Sequence, residues 1–446
     1  MSAMNKITNM VEKVITPIAY KVSTQPHINA IKDGFVATMP FLIVGSLLLV
    51  LAFPPGTSNA FLQGWQSIVE SIGQGNILSS FQVSMGIFSL YAAFSIGFSL
   101  AEHYKLRALN TGLLSMFTFL LAAAPIKFIP DHGGIMPIAH MGGAGAFTAI
   151  LCGLFVPELQ RLLIKYNIRL KLPEAVPPKI SASFDLLIPI VFLTVIVVSL
   201  NVVLGYNEMT IPSAVMEIFK PIVAASDSFF ACLLAVIVIQ LLWFAGIHGS
   251  QVVVVGILYP ILMVNLGLNQ DALAAGQEIP KIFVNPVLDF FIFVGGAGGT
   301  LGFVVLMMRS KATHLKTIGR MSIIPGAFNI NEPVIFGTPI VMNVNYFIPW
   351  MLSPIVNTCI VWIAFKTDFI SKVVALPPWT MPAPIGAVMA TNSSMAAIVV
   401  LVCVLVSMAI FYPFFKAHEK QLLVEENRNN KSELDSNLTS NKPITE

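Results

Sequence analysis

Charge is scarce in this chain. Asp, Glu, Lys and Arg make up 11% of its 446 residues, against roughly 25% in ordinary soluble domains. A water-facing surface on so long a chain needs far more, since about a quarter to a third of surface positions are normally charged. A soluble globular protein is excluded, and lipid is the solvent for most of the chain. The net charge is only +3, with no run of Lys and Arg interleaved with aromatics, which argues against a nucleic-acid partner. The four cysteines, Cys152, Cys232, Cys359 and Cys403, lie in apolar stretches with no CxxC spacing and no histidine cluster nearby. They read as small apolar fillers. Also missing are a Ser-His-Asp set, a zinc motif and a nucleotide-binding loop. In GGAGGTLG (295–302) no Gly-Lys-Ser/Thr follows and Leu301 breaks the GxGxxG spacing. Its small-xxx-small spacing suits close helix packing instead, as does HMGGAGAFTAI (140–150). Neither a cofactor nor a metal is expected, and nothing marks His132 or His140 as metal ligands.

What is present is apolar sequence, 56% of the chain. A crossing helix needs about 20 such residues to cover roughly 30 Å of hydrocarbon. Ten segments qualify: 33–53, 82–101, 108–126, 145–164, 184–205, 229–248, 251–267, 288–308, 345–365 and 395–416. The seventh is the weakest, being short and closed by Tyr259 and Pro260. The amphipathic start, 1–32, lacks the features of a cleaved secretory signal, so the first span is retained. With both ends on the inner side, twenty of the 25 Lys and Arg fall in inner segments and five in outer ones, as the positive-inside bias requires. The basic, proline-broken connection 166–184 divides the chain near its middle into 33–183 and 184–417. The tail 418–446 is polar without apolar periodicity and is expected to be disordered.

The stretch 321–345, MSIIPGAFNINEPVIFGTPIVMNVN, is apolar enough for a membrane but carries Pro325, Gly326, Pro333, Gly337 and Pro339. Proline removes an amide donor and disfavours a helical residue before it, so a straight span is excluded. Irregular backbone at membrane depth survives only where protein buries it or it lines a wet cavity. A re-entrant hairpin follows, with Asn329, Asn331 and Glu332 at its centre. A carboxylate there costs at least about 2.5 kcal/mol. Glu332 either braces the hairpin through backbone amides or contacts a ligand. In the second reading, one acid beside amides suits a neutral polyhydroxylated solute, whose hydroxyls both donate and accept.

In WFAGIHGSQ (243–251), Gly246 and Gly249 flank His248 and interrupt the sixth span. His248 is either a satisfied buried histidine or a partner of Glu332 in one site. Trp243, and Trp379 in PPWTMPAP (377–384), offer flat faces for a sugar ring, or belong to an interfacial belt.

On NINEPVIFGTPIVMN (329–343), WFAGIHGSQ and KDGFVATMPFLIVGSL (32–47), the chain resembles enzyme IIC, the membrane subunit of the bacterial phosphotransferase system, in its lactose, cellobiose and diacetylchitobiose family. The resemblance runs over nearly the whole length. It implies an all-α integral membrane protein of about ten crossings plus two re-entrant hairpins in the cell membrane, both termini cytoplasmic. It implies a homodimer with an N-terminal interface half and a C-terminal half that moves as an elevator. Glu332 would hydrogen-bond the sugar near the hydroxyl to be phosphorylated, His248 and Asn331 would also hold it, and Trp379 would stack. A phosphocysteine on enzyme IIB would supply the phosphoryl group, and the short tail implies that IIB is a separate chain. The expected function is uptake of a β-linked disaccharide such as cellobiose or N,N'-diacetylchitobiose. Glu332 is the candidate base, and the basic residues Arg309, Lys311, Lys316 and Arg320 with His314 are a candidate IIB dock. An ion-coupled transporter is the rival, since broken helices suit that class too.

Overall fold

A computed structural model describes residues 24–440 other than 55–59, 131–132, 169–185, 339 and 342, together with 17 and 21. Most of the amphipathic start, most of the basic central connection, His132 and the last residues of the tail lie outside the described residues. The N-terminal bundle contains α1 (Pro26–Ala52), α2 (Ala60–Ile72), α3 (Gln74–Ser84), α4 (Phe88–His103), α5 (Ala108–Ala123) and α6 (Ala146–Lys165). Helix α4 is its centre, packing on α1, α5 and α6. The small residues Ala92, Ala93, Gly97 and Ala101 along its buried face permit that close approach. Between α5 and α6, β1 (Lys127–Ile129) pairs antiparallel with β2 (Gly133–Ile135), Phe128 opposite Gly134.

Helix α7 (Leu187–Gly205) has a mean hydropathy of 2.8 with little of it buried, the signature of a helix bathed in lipid. Helices α8 (Ile211–Ser226) and α9 (Phe229–Phe244) meet at 72°, and Ser228 caps α9 by accepting from the amide of Ala231. The Asp227 carboxylate beside it accepts from the amides of Ile282 and Phe283, pinning a distant loop to this corner. Helix α10 (Gln251–Ala274) opens with π-helical turns over Gln251–Leu258. The rest comprises α11 (Leu301–Met308), α12 (Thr313–Ala327), α13 (Glu332–Gly337), α14 (Val344–Lys366), α15 (Ala383–Thr391) and α16 (Met395–Ser440). Here α11 packs on α12 and α16, and α14 on α16.

Among the described residues seven helices are long and apolar enough to cross a membrane, or eight with the α8–α9 pair counted as one. Of the ten expected spans, the third, sixth and eighth fall short. Helix α5 is apolar but only 16 residues long, and α9 is one arm of the bent pair. The eighth is broken because Gly295, Gly296, Gly298 and Gly299 all have positive φ, a conformation that glycine adopts without steric cost. The glycine run is therefore a loop between the turn at Leu288–Ile292 and α11, and of the stripe its spacing suggested only Gly302 lies in a helix, where a Cβ would come 2.6 Å from the carbonyl oxygen of Val404 on α16. The seventh span, expected to be short, reaches Ala274. Pro260 sits in the first turn of its α-helical part, directly after the π-helical turns. The tail also departs from expectation, since α16 continues to Ser440. Extending a formed helix avoids the cost of nucleating a new one.

The two bundles touch through backbone. Gly143, before α6, packs on Gly267 of α10 so closely that a Cβ on Gly267 would lie 2.6 Å from Cα of Gly143. At a second seam the amide of Leu376 donates to Ser46 Oγ of α1 at 3.0 Å.

Candidate functional site

Three broken segments converge on one cavity. The first is the end of α9. The amides of Gly246 and Ile247 close that helix on the carbonyls of Trp243 and Leu242, with Gly246 at φ 80°. The chain then turns through His248 into the π-helical turns of α10, a form that recurs at functional sites. The second is the α12–α13 hairpin, which reverses at Phe328–Asn331 with Asn329 at φ 62°. The third runs without regular structure from Ser371 to Pro378 and turns at Trp379–Thr380 before α15.

Asn329 ties these tips together. Its Oδ1 accepts from the amide of Gly295 at 3.0 Å, and its Nδ2 donates to the carbonyls of Trp379 and Met381 at 2.9 and 3.1 Å. Asn331 is committed as well, donating to the carbonyl of Ala297 at 2.6 Å and to Thr300 Oγ1 at 2.9 Å. Both amides thus hold the glycine loop against the hairpin. With its donors spent, Asn331 keeps only Oδ1 for a solute.

The cavity encloses about 350 Å³, inside the roughly 300–1,000 Å³ range of small-molecule sites. Trp243, His248, Asn331, Glu332 and Trp379, the five residues singled out from the sequence, all line it. The Trp243 and His248 rings lie 4.2 Å apart. Trp243 is 6% exposed, so it belongs to the cavity wall and not to an outer belt. His248 Nδ1 accepts from the amide of Gln251 at 3.1 Å, which puts the neutral ring's proton on Nε2 and makes that atom a donor. Glu332 is the first residue of α13 and lines the same cavity as His248. Among the described residues no group hydrogen-bonds its carboxylate, so the bracing reading of Glu332 has no support there.

The other polar residues of the wall are Ser250, Gln251, Tyr259, Asn285, Asp289 and Asn329. Asn285 Nδ2 donates to Asp289 Oδ2 at 2.6 Å, while the Tyr259 hydroxyl is buried with no partner among the described residues. Asp289 is not among the residues that the sequence singles out. The signal available was an acid inside the apolar run FVNPVLDFFIF. Val36 and Met39 of α1 also face the cavity, so the N-terminal bundle closes one side of a site built by the C-terminal one. Acceptors at Glu332 and Asp289, donors at His248 and Asn285, and two indole faces make a surface that matches hydroxyls and C–H faces together.

Residues 32–354 match the family model described as Phosphotransferase system, EIIC. The chain is 33% identical over 440 residues to the lichenan permease IIC component of Bacillus subtilis (strain 168), covering 95% of this chain and 96% of that protein. It is also 33% identical over 443 residues to the PTS system cellobiose-specific EIIC component of Geobacillus stearothermophilus, covering 95% and 96%. Among solved structures, it is similar to the transporter ChbC, the IIC component from the N,N'-diacetylchitobiose-specific phosphotransferase system. The TM-score is 0.83 at 33% identity, over 94% of this chain and 99% of that one. The broken helices and their shared cavity are thus carried by a sugar permease, and the chain belongs to the EIIC family of the phosphotransferase system.

Proposed function

We propose that this permease carries a β-linked disaccharide of the cellobiose or N,N'-diacetylchitobiose type to the cytoplasmic face, where a phosphocysteine on enzyme IIB phosphorylates it. The observation that carries the reading is the Glu332 carboxylate, without a hydrogen-bond partner among the described residues, lining one cavity with His248, Trp243 and Trp379. A neutral solute with many hydroxyls satisfies such a set without bringing a charge into the membrane. The relatives named for lichenan, cellobiose and diacetylchitobiose support the same substrate class.

In this reading Glu332 accepts the hydrogen bond of the reacting hydroxyl and takes its proton as the oxygen attacks phosphorus. The S–P bond breaks and the IIB cysteine leaves as thiolate. His248, Trp243 and Trp379 hold the ring, and Asn331 positions the glycine loop while offering Oδ1. Phosphate adds about two negative charges, so the product cannot return through a site built for neutral hydroxyls. The transport half moves as an elevator against an N-terminal half that makes the homodimer interface, with both termini cytoplasmic. The backbone seam at Gly143 and Gly267 and the polar cavity closed by α1 are compatible with such a movement.

The test is binding of purified protein to a panel of neutral disaccharides with and without acetamido groups, followed by uptake into vesicles. Uptake that requires phosphorylated IIB supports the proposal. Uptake driven by an ion gradient alone would instead favour an ion-coupled transporter.

A further inference from the structure

Trp350 of α14 is fully buried and stands outside the lining of the sugar cavity, yet it meets two of the segments that build the cavity. Its indole Nε1 donates to the main-chain carbonyl of Gln240 at 3.1 Å, three residues before Trp243 on α9. Its six-membered ring lies against Gly298, where φ is 82° and a Cβ would run into the ring. Glycine is what lets the loop come that close. Trp350, Ser353 and Asn357 stand at i, i+3 and i+7 of α14, so they share one face of that helix. The last two lie beside Gly299, where a Cβ would be 3.0 Å from Ser353 Oγ and 3.2 Å from Asn357 Nδ2. Asn357 Nδ2 also donates to the carbonyl of Ile292 at 3.1 Å. Ser407 Oγ of α16 accepts from Ser353 Oγ at 2.8 Å and from Asn357 Nδ2 at 3.1 Å. One helix face thus supports the glycine loop, while Asn331 grips the same loop at Ala297 and Thr300.

An indole is a rigid plate with its single donor at one edge and an apolar ring at the other. Tied to α9 by the donor and to the glycine loop by the ring, Trp350 is a spacer between them. Helix α9 carries Trp243 and leads to His248, and the glycine loop holds Asn331, the residue before Glu332. Resting on the proposed function, we infer that Trp350 is a positioning residue for phosphoryl transfer. It sets the distance between the wall that holds the sugar ring and the hairpin that brings Glu332 to the reacting hydroxyl. Transfer needs reacting atoms about 3–3.5 Å apart, and a misplacement of about 1 Å can cost roughly 10²-fold in rate. Binding is shared among several hydrogen bonds and ring contacts, so it tolerates the same shift better.

The experiment uses the full chain, in detergent for disaccharide affinity and melting temperature, and in vesicles with phosphorylated IIB for the phosphorylation rate. Trp350→Phe keeps a ring against Gly298 but loses the donor. Gly298→Ala keeps the indole but sets a Cβ against it. In both variants the rate at saturating disaccharide, per folded molecule, should fall at least about tenfold, with affinity changed less than about threefold. Trp350→Phe should cost less than about threefold when added to Glu332→Gln, since a spacer that acts through Glu332 then has nothing left to position. A lower melting temperature with the native rate per folded molecule makes Trp350 a packing residue and overturns the inference. So does a loss of affinity as large as the loss of rate, or a loss that simply multiplies with that of Glu332→Gln. Native uptake that ignores IIB fails the proposed function, and the inference falls with it. Native uptake that requires IIB, beside a Trp350→Phe variant of undiminished rate, fails the inference alone.

Discussion

The Asn329 side chain donates to the carbonyl of Trp379 at 2.9 Å, joining the tip of the α12–α13 hairpin to the turn before α15. The same side chain holds the glycine loop through the amide of Gly295. One asparagine therefore sets the relative positions of the Glu332 hairpin, the Trp379 turn and the loop that Asn331 also grips. Each of these segments lacks a regular helix partner for its backbone groups at the tip, so a side chain has to supply one.

Asn329→Ala removes three hydrogen bonds, each with a net worth of about 1 kcal/mol, and replaces an asparagine, which tolerates the left-handed conformation, by a residue that tolerates it less well. A drop of several degrees in melting temperature is expected, together with weakened disaccharide binding. Asn329→Asp keeps the acceptor for Gly295 but sets an acceptor oxygen against the carbonyls of Trp379 and Met381 in a buried place, so it should not recover the loss. Equal melting of all three proteins would show that the tips are held by something else.

Glu332→Gln retains a hydrogen-bonding group of the same shape but cannot take a proton. Disaccharide affinity should stay within about tenfold, while IIB-dependent phosphorylation falls by roughly 10²–10⁴, the usual contribution of a general base. Full phosphorylation-coupled uptake by this variant removes the base role and leaves Glu332 as a hydrogen-bond partner.

His248 donates through Nε2 because its Nδ1 is taken by the Gln251 amide. Loss of that donor in His248→Ala should weaken disaccharide binding by about 5- to 30-fold, equivalent to roughly 1–2 kcal/mol. His248→Gln, which can still donate, should recover part of the loss in a calorimetric titration.

At the seam between the bundles, Gly267→Val would bring a Cβ against the backbone of Gly143. Backbone on both sides leaves no side chain free to yield, so the halves must separate or shift. Altered transport rate with disaccharide affinity preserved is the expected result, read by uptake against binding. If both are unchanged, the halves do not meet there during the cycle.

The Glu419 carboxylate, 4% exposed, accepts from Ser310 Oγ and from the amide of Lys311, both at 2.7 Å, so α16 holds the turn that presents Lys311 and Lys316. If this basic face docks IIB, reversing both charges should slow donor-dependent phosphorylation and make it less salt-sensitive. Sugar binding should be untouched. Unaltered phosphorylation kinetics would leave positive-inside bias as the reason for these charges.

Scarce charge and long apolar runs were enough to make this a membrane protein, because transfer of so few charged groups into lipid decides the solvent before any fold is known. The proline and glycine pattern around Glu332 and His248 was enough to mark both as sites of broken helix, since backbone chemistry is local. Which of the apolar runs are continuous was not legible in the same way. Hydropathy counts residues, whereas the positive φ of Gly295 to Gly299 and the bend at Asp227 are settled by what packs against them.

The sequence by itself determined the solvent, the broken segments and the identity of five residues at the cavity, because each follows from the transfer energy or the backbone preference of the residue concerned. Only the tertiary structure decided that Asn329 and Asn331 spend their donors on neighbouring loops, that Asp289 and Tyr259 face the same cavity, and that α1 closes it. Those outcomes depend on which segments, distant along the chain, come within hydrogen-bonding reach, and no local rule contains that distance.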